Sequence, residues 1–449
     1  MGRLVKFHLY IALRAFSIGL VLTGCANQIS NSSFEYVSTE IEKNIGGRVT
    51  PDPVYGNRQI PPGISIERGL SEQAAVAIAL WNNAAFQADL AQLGVSRAEV
   101  LQAGLIKNPN FSLLFPIGPK QLEAWLMWPA SELRVRPHRI AVAKLNASRV
   151  ADNLIQNGLN LARDTQIAYL NLLQTKKALS LAKENVRLLD EISKITQARL
   201  RLGDISELEA QQKKIDALNA LEQSNRLAHD EITFRHRLRS FLGIDFEKDL
   251  KLVPTTSASN LKKDLTALIE IALASRPDMR IAELEIESAG EQIGWEEKKI
   301  FNFIAILDAN ENNTEVGPGF KIDIPIMNLN EGGIARAQAQ LDSAVKRYIA
   351  VREQIKLSVR ESYTQYISTL KLLELITQKI FPQQVQKLNL SKEALKNGEI
   401  SYLSNLEVQR GFIQTKLKQT EVLAELGRKS ALLGHSIGRP VEFLKTFSS

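Results

Sequence analysis

The stretch RLGDISELEA (residues 201–210) interrupts a long helical run, and KNGEISYLSN (396–405) repeats the interruption. Each has a glycine, an acid, then Ile-Ser, with a leucine soon after. A glycine just past a helix end, followed by Asp or Ser able to cap the next helix, is the signature of a helix–turn–helix reversal. Upstream, His138 to Val253 holds no proline and only Gly158, Gly203 and Gly243. Leu181, Leu188, Ile195 and Leu202 recur every seventh position, a coiled-coil-like seam. A helix over Arg139–Leu202 would be ~95 Å long. No compact core houses that, so it needs neighbours of equal length. A second helix is expected to return from Ser206 to about Gly243.

The programme then restarts. Ile271-Ala272-Leu273 echoes Ile78-Ala79-Leu80, 193 residues earlier. Tyr363 follows Tyr169 by 194 and Gly398 follows Gly203 by 195. Three separated anchors at nearly one spacing establish an internal duplication. Each copy opens with a helix, expected from near Ser71 to about Lys107 (with Ser71 or Asn82 as caps) and again up to Lys299. The period then changes to two. In NFSLLFP (110–116), Phe111, Leu113 and Phe115 share a face; in QLEAWLMW (121–128), Leu122, Ala124, Leu126 and Trp128 do. FNFIAILDANEN (301–312) and GFKIDIPI (319–326) give the second pair. A long helix follows from Gly333, interrupted at Phe381-Pro382, where proline kinks or breaks it, and the last helix runs to about Gly438. The expected organisation is a first repeat over 65–260 (hairpin 110–128, tip 201–206) and a second over 261–449 (hairpin 301–326, tip 396–401).

The 449 residues carry a net charge of +7 and are 44% hydrophobic, which excludes wholesale disorder. Arg3, Lys6 and Arg14 lie in the first 24 residues, so the remainder carries +4, too mild for nucleic acid. The start pairs a basic opening with a short apolar run and then Leu22-Thr23-Gly24-Cys25, resembling a bacterial lipobox. That implies a signal peptide over 1–24, cleavage before Cys25 and lipidation of Cys25, the chain's one cysteine. Residues 25–64, rich in Asn, Ser, Gly and Pro, read as an extended lipidated segment. No later segment has 18 consecutive apolar residues.

Each copy therefore supplies two strands of about bilayer-crossing length, four per chain. Four strands cannot close a barrel, and open edges in lipid cost several kcal/mol per unpaired group. Either the hairpins pack on the helices as a small soluble sheet, or several chains share one barrel. With the repeats side by side, the hairpins would sit at one end and the glycine tips at the other.

IALWNNAAFQADLAQLGVSRAEVLQAGLIKNPNF (78–111), RLGDISELEAQ (201–211), IPIMNLNEGGIARAQAQ (324–340), FPQQV (381–385) and GEISYLSNLEVQR (398–410) together resemble the TolC-type outer-membrane efflux factors. The resemblance implies a mainly α chain with a small transmembrane β part. It implies a homotrimer whose twelve-stranded β-barrel continues into a periplasmic helical tunnel. It also implies an outer-membrane location and partnership with an inner-membrane pump and a periplasmic adaptor. PIMNLNEGGIARA looks most like the branch paired with heavy-metal cation pumps, with drug efflux the other option. The tip positions implied to meet the adaptor are Leu202, Gly203, Asp204, Ile205, Asn397, Gly398, Glu399 and Ile400.

Some members narrow the pore with two acids six and nine residues after the second tip glycine. Ser404 departs from that pattern and Glu407 keeps it, so three copies of Glu407 could form one acidic ring that favours cations. A solvated glutamate on a helix face is the equal alternative. His8, His138, His229, His236 and His435 have no accompanying cysteine or acid cluster, so no metal site or cofactor is expected. No Walker loop, dinucleotide fingerprint, HExxH or nucleophile elbow is present, which argues against an enzyme and leaves pumping energy to a partner. The rival reading is a non-pore coiled-coil adaptor or scaffold lipoprotein. One helical hairpin flanked by β-rich modules would suit an adaptor better than two full repeats.

Overall fold

The computed structural model describes residues 33–45, 60, 61, 64, 66, 69–115, 122–244, 251–254, 264–310 and 316–439. Cys25, the segment 1–24 and the first hairpin's Gly118-Pro119 turn lie outside them. In chain order the elements are α1 (Phe34–Ile45), α2 (Glu72–Asn82), α3 (Ala84–Gly104), β1 (Asn110–Leu114), β2 (Glu123–Trp128), α4 (Glu132–Arg201) and α5 (Glu207–Leu242). The second copy supplies α6 (Leu265–Ser275), α7 (Pro277–Lys298), β3 (Asn302–Asn310), β4 (Val316–Asp323), α8 (Glu331–Leu375), α9 (Phe381–Lys396) and α10 (Tyr402–Ile437).

The 70 residues of α4 form the spine, about 105 Å long at helical rise. It packs against α3, α5, α7 and α10. It starts ahead of Arg139, at Glu132, and so contains Pro137. Proline there forfeits one helical hydrogen bond. Tertiary bonds hold the first turn instead: the Ser131 N–H donates to Phe303 O (3.0 Å) and the Ser131 hydroxyl to Asn302 Oδ1 (3.0 Å).

Three further expectations are corrected. The single helix expected from Ser71 to Lys107 is two, because Asn83 is extended (ψ 114°). Its side-chain oxygen accepts from the Phe86 N–H to cap α3, while Nδ2 donates to Phe241 O. Ser71, as expected, caps α2, but Asn83 takes the role offered to Asn82. In the second copy Arg276 stands at the same break, and its guanidinium donates to the carbonyl of Ser436, the counterpart of Phe241 in that copy.

The interruption at Phe381-Pro382 is no break. A wide turn over Ile376–Ile380, in which the Phe381 N–H bonds the Ile376 carbonyl, absorbs the proline, and the chain stays helical into α9.

The segment 25–64 is not extended throughout. Phe34, Val37, Ile41 and Ile45 line one face of α1, and Val37 and Ile41 are wholly buried against Phe86, Leu90, Leu154, Ile155 and Leu159. Gly158 makes the seat: a Cβ there would lie 2.9 Å from Ile41 Cδ1.

The duplication reappears in backbone detail. Gly203 (φ 79°) and Gly398 (φ 78°) end α4 and α9, and Gly243 (φ 61°) and Gly438 (φ 77°) end α5 and α10. At both tips the turn closes with the same pair of bonds. Gly203 N–H donates to Leu200 O and Asp204 N–H to Arg199 O; Gly398 N–H donates to Leu395 O and Glu399 N–H to Ala394 O. These satisfy helix-end carbonyls, and a left-handed backbone of this kind is open to glycine without strain. Ser206 and Ser401 then cap the returning helices by accepting from Glu209 N–H and Ser404 N–H.

Candidate functional site

Two ends of the molecule are candidates, set apart by the length of α4. At one end lies a four-stranded antiparallel sheet in the order β1-β2-β3-β4, with both edges unpaired among the described residues. Register decides its character. Phe111 lies opposite Leu126, Leu126 opposite Leu307, and Leu307 opposite Pro318. Leu113 aligns with Ala124 and Ala309; Trp128 with Ala305 and Phe320; Phe303 with Ile322. Every residue in these rows is apolar, so one face is unbroken hydrophobic surface across both hairpins. The other face carries Asn110, Ser112, Glu123, Asn302, Asp308, Lys321 and Asp323 among Leu114, Trp125, Met127, Ile304 and Ile306. Alternation of this kind belongs to a sheet with lipid on one side and water on the other.

The apolar face is left open: Phe111 is 67% exposed and Phe320 70%. Phe303 and Phe320 stack with centroids 5.7 Å apart. At the junction with the helices the Arg134 guanidinium lies over Phe301, Lys299 over Trp295, and the Trp128 indole N–H donates to Lys107 O. The strand expected to run to Ile326 stops at Asp323, leaving Ile324, Ile326 and Met327 exposed in the link to α8. No helix among the described residues is long and apolar enough to cross a membrane.

At the other end lie the two tips. Leu202, Gly203, Asp204, Asn397, Gly398 and Glu399 are exposed, while Ile205 and Ile400 are half-buried at matching positions. Asp204 lies 4.0 Å from Arg199, and the Asn397 amide donates to Glu399 (3.2 Å). Apart from its chain neighbours, neither tip glycine has an atom of the described residues within 4 Å of where a Cβ would sit, so both turns face open space.

Just behind the tips, the returning helix α10 is held to the first repeat. Leu406 packs on Leu189, Ile192 and Ala220. Around this contact, the Tyr402 hydroxyl donates to Glu191 (2.8 Å), Lys213 to Glu407 (2.7 Å) and Arg410 to Asp216 (3.2 Å). The structure therefore places Glu407 in an ion pair within its own chain and Ser404 in the cap of α10, its hydroxyl 2.9 Å from Ser401 Oγ.

Glu191, Lys213, Asp216 and Arg410 were not singled out in the sequence. A signal was available: Lys213 and Glu407 stand 194 residues apart, as do Asp216 and Arg410, so each pair sets opposite charges within one position of equivalence in the two copies.

The buried ionisable groups lie elsewhere. Burial, reinforced by Arg163 and Arg276, lowers His435 to about 4, and it sits 2.7 Å from Asn160 Oδ1 between the repeats. Burial raises Asp152 to about 6, where the Tyr36 hydroxyl of α1 donates to it (3.4 Å). His138 pairs with Glu291 (2.9 Å). Among the described residues no three His, Cys, Asp or Glu side chains converge as a metal-binding group.

Residues 268–439 match the sequence model of the family described as outer membrane efflux protein. The cobalt-zinc-cadmium resistance protein CzcC of Cupriavidus metallidurans is 20% identical over 387 residues, covering 82% of this chain and 90% of that protein. The outer membrane efflux protein BepC of Brucella suis biovar 1 is 22% identical over 247 residues, about half of each chain (51% and 52%). Among solved structures, CusC superposes with a TM-score of 0.69 at 15% identity, covering 87% of this chain and 98% of its own. The outer membrane protein VceC of Vibrio cholerae gives 0.67 at 14% identity, covering 82% and 96%.

Proposed function

We propose that this chain is an outer-membrane efflux protein of the TolC type and forms one subunit of a passive trimeric conduit. The observation that carries the proposal is the sheet: one wholly apolar face, one mixed face that holds all its polar residues and, among the described residues, two unpaired edges, at the opposite end from two exposed helical tips. An apolar face of this extent is stable in lipid, and the open edges are not, so further copies must complete the ladder. Three chains give twelve strands, enough to enclose an aqueous lumen lined by the polar face. The helices continue that lumen into the periplasm. Cargo enters at the tips, delivered by an inner-membrane pump and a periplasmic adaptor. No pumping machinery is assigned to this chain.

Leu202, Gly203, Asp204, Ile205, Asn397, Gly398, Glu399 and Ile400 are the proposed adaptor-contact positions. Their support is exposure of the turn and the lack of any covering side chain at either glycine. The links Tyr402–Glu191, Lys213–Glu407 and Arg410–Asp216 are proposed to hold the second tip inward, so that opening requires their release. Cys25 is proposed as the lipid anchor beside the barrel. The likeness to a protein named for cobalt, zinc and cadmium resistance favours divalent metal cations as cargo.

Detergent-extracted size and planar-bilayer conductance test the core of the proposal together. A trimer that conducts is expected, and a monomer that never inserts would sink it. For cargo, deletion should sensitise the host to cobalt, zinc or cadmium; sensitisation to drugs alone would remove the metal reading. For the anchor, Cys25→Ser should abolish incorporation of labelled palmitate, and unchanged labelling would refute it.

A further inference from the structure

The open edges of the sheet, β1 and β4, belong to different copies of the repeat. Inside the chain the two copies are already joined once, where β2 meets β3 with Leu126 opposite Leu307, Met127 opposite Ile306 and Trp128 opposite Ala305. The two hairpins themselves share one register. Phe111 pairs with Leu126 in the first and Ala305 with Phe320 in the second, and the repeat offset that separates Lys213 from Glu407 carries the first pair onto the second. The same offset separates Gly104 from Lys298, the last residues of α3 and α7. The link between copies is thus a template for any link between chains: β4 stands to the next chain's β1 as β2 stands to β3.

We propose that a second copy of this chain adds its β1 antiparallel to β4 in that transferred register. Phe320 then lies opposite the next copy's Leu113, Ile322 opposite its Phe111, and Lys321 opposite its Ser112. This rests on the reading that three copies close the barrel, and it adds which residues form the seam. Two observations support it. The transferred pairs keep faces together, apolar with apolar and polar with polar, whereas a slip of one residue would turn Phe320 and Ile322 to the polar side. Phe111 and Phe320, among the exposed apolar residues of the single chain, are brought beside this seam. Pro318 has no N–H to give, so the seam's full ladder is expected around Phe320 and Ile322.

Cysteine pairs in the full-length chain read the register directly. Residues directly opposite bring Cβ atoms within disulfide reach, while partners displaced by two sit too far, so S112C/K321C should yield about tenfold more covalent trimer on oxidation than S112C/G319C or S112C/D323C. L113C/F320C samples the same register on the apolar face, so a variant that fails to assemble leaves the other pair to decide. Reducible trimers from the in-register pairs, absent from wild type and single-cysteine chains, are the expected result. Assembled trimers that crosslink best at a displaced pair, or at none, overturn the seam. A wild-type chain that never exceeds monomer size in detergent overturns the trimer reading itself, a separate result seen without any introduced cysteine.

Discussion

Replacing Lys213 with Glu should loosen the second tip, and reversing the pair, K213E with E407K, should tighten it again. Lys213 Nζ lies 2.7 Å from Glu407 Oε1, with the side chains 23% and 47% exposed. Solvent screening at such exposure keeps the pair near ~0.3–1 kcal/mol. Placing two carboxylates there loses that attraction and adds repulsion of similar size, about 0.6–2 kcal/mol per chain. Each ~1.4 kcal/mol is tenfold, so one tip moving alone should shift its closed-to-open equilibrium roughly three- to thirtyfold. Three tips moving in concert would sum to about 2–6 kcal/mol, a far larger shift. Single-channel conductance of the purified protein in a planar bilayer reads this as open probability. The difference should shrink in about 1 M salt, where the screening length falls to ~3 Å. If K213E conducts like wild type, the clasp reasoning fails. If the reversed pair stays as open as K213E, Glu407 acts as a lumen charge and not as a clasp, and E407Q should then lower cation selectivity without changing open probability.

The other expectations concern stability and insertion. Gly243→Ala should cost several-fold more than Gly203→Ala, although both glycines have positive φ. A Cβ at 243 would lie 2.5 Å from Asn82 O, whereas that at 203 meets nothing within 4 Å. The left-handed strain alone is roughly 1–2 kcal/mol, and relative denaturation midpoints by circular dichroism would show equal losses if the packing argument were wrong. Asp152 holds its proton up to about pH 6, against an ordinary value of 3.8, because it is buried. Its contribution to stability is therefore full below about pH 3.8 and lost as pH rises through 6. Asp152→Asn should raise stability by about 1–3 kcal/mol above pH 7, with the gain fading towards pH 4; a pH-independent effect would contradict this. His435 runs the opposite way: its stabilisation is full above its ordinary 6.5 and lost as pH falls through about 4, so His435→Gln should flatten the acid limb of a pH–stability profile. Leu126→Arg, on the apolar face, should cost about 2–4 kcal/mol and deplete the outer-membrane form, while Ser112→Arg on the opposite face should be tolerated; equal membrane yields would argue against lipid contact.

The repeat, the glycine tips and the strand faces could be read directly from residue order, because each is a local backbone demand. Gly203 and Gly398 sit where φ must be strongly positive, and Phe303, Ala305 and Leu307 alternate because a pleated strand has period two. Reading failed where composition or a single residue misled. Phe34, Val37, Ile41 and Ile45 have helical spacing, but their Asn-, Ser- and Gly-rich flanks suggested an extended tether. Pro382 suggested a break, yet a turn of wider helix before it satisfies the same steric demand.

Residue order by itself determined that this protein is a duplicated long-helix hairpin with two short strand pairs and two reversals, since periodicity, proline and glycine act within a few residues of themselves. Only the tertiary structure decided that four strands form one sheet with a continuous apolar face, and that Glu407 meets Lys213 while Arg410 meets Asp216. Those partners lie a full repeat apart in the chain, and no local rule selects them. Packing of α10 against α4 behind the tips does, with Leu406 in one apolar cluster with Leu189, Ile192 and Ala220.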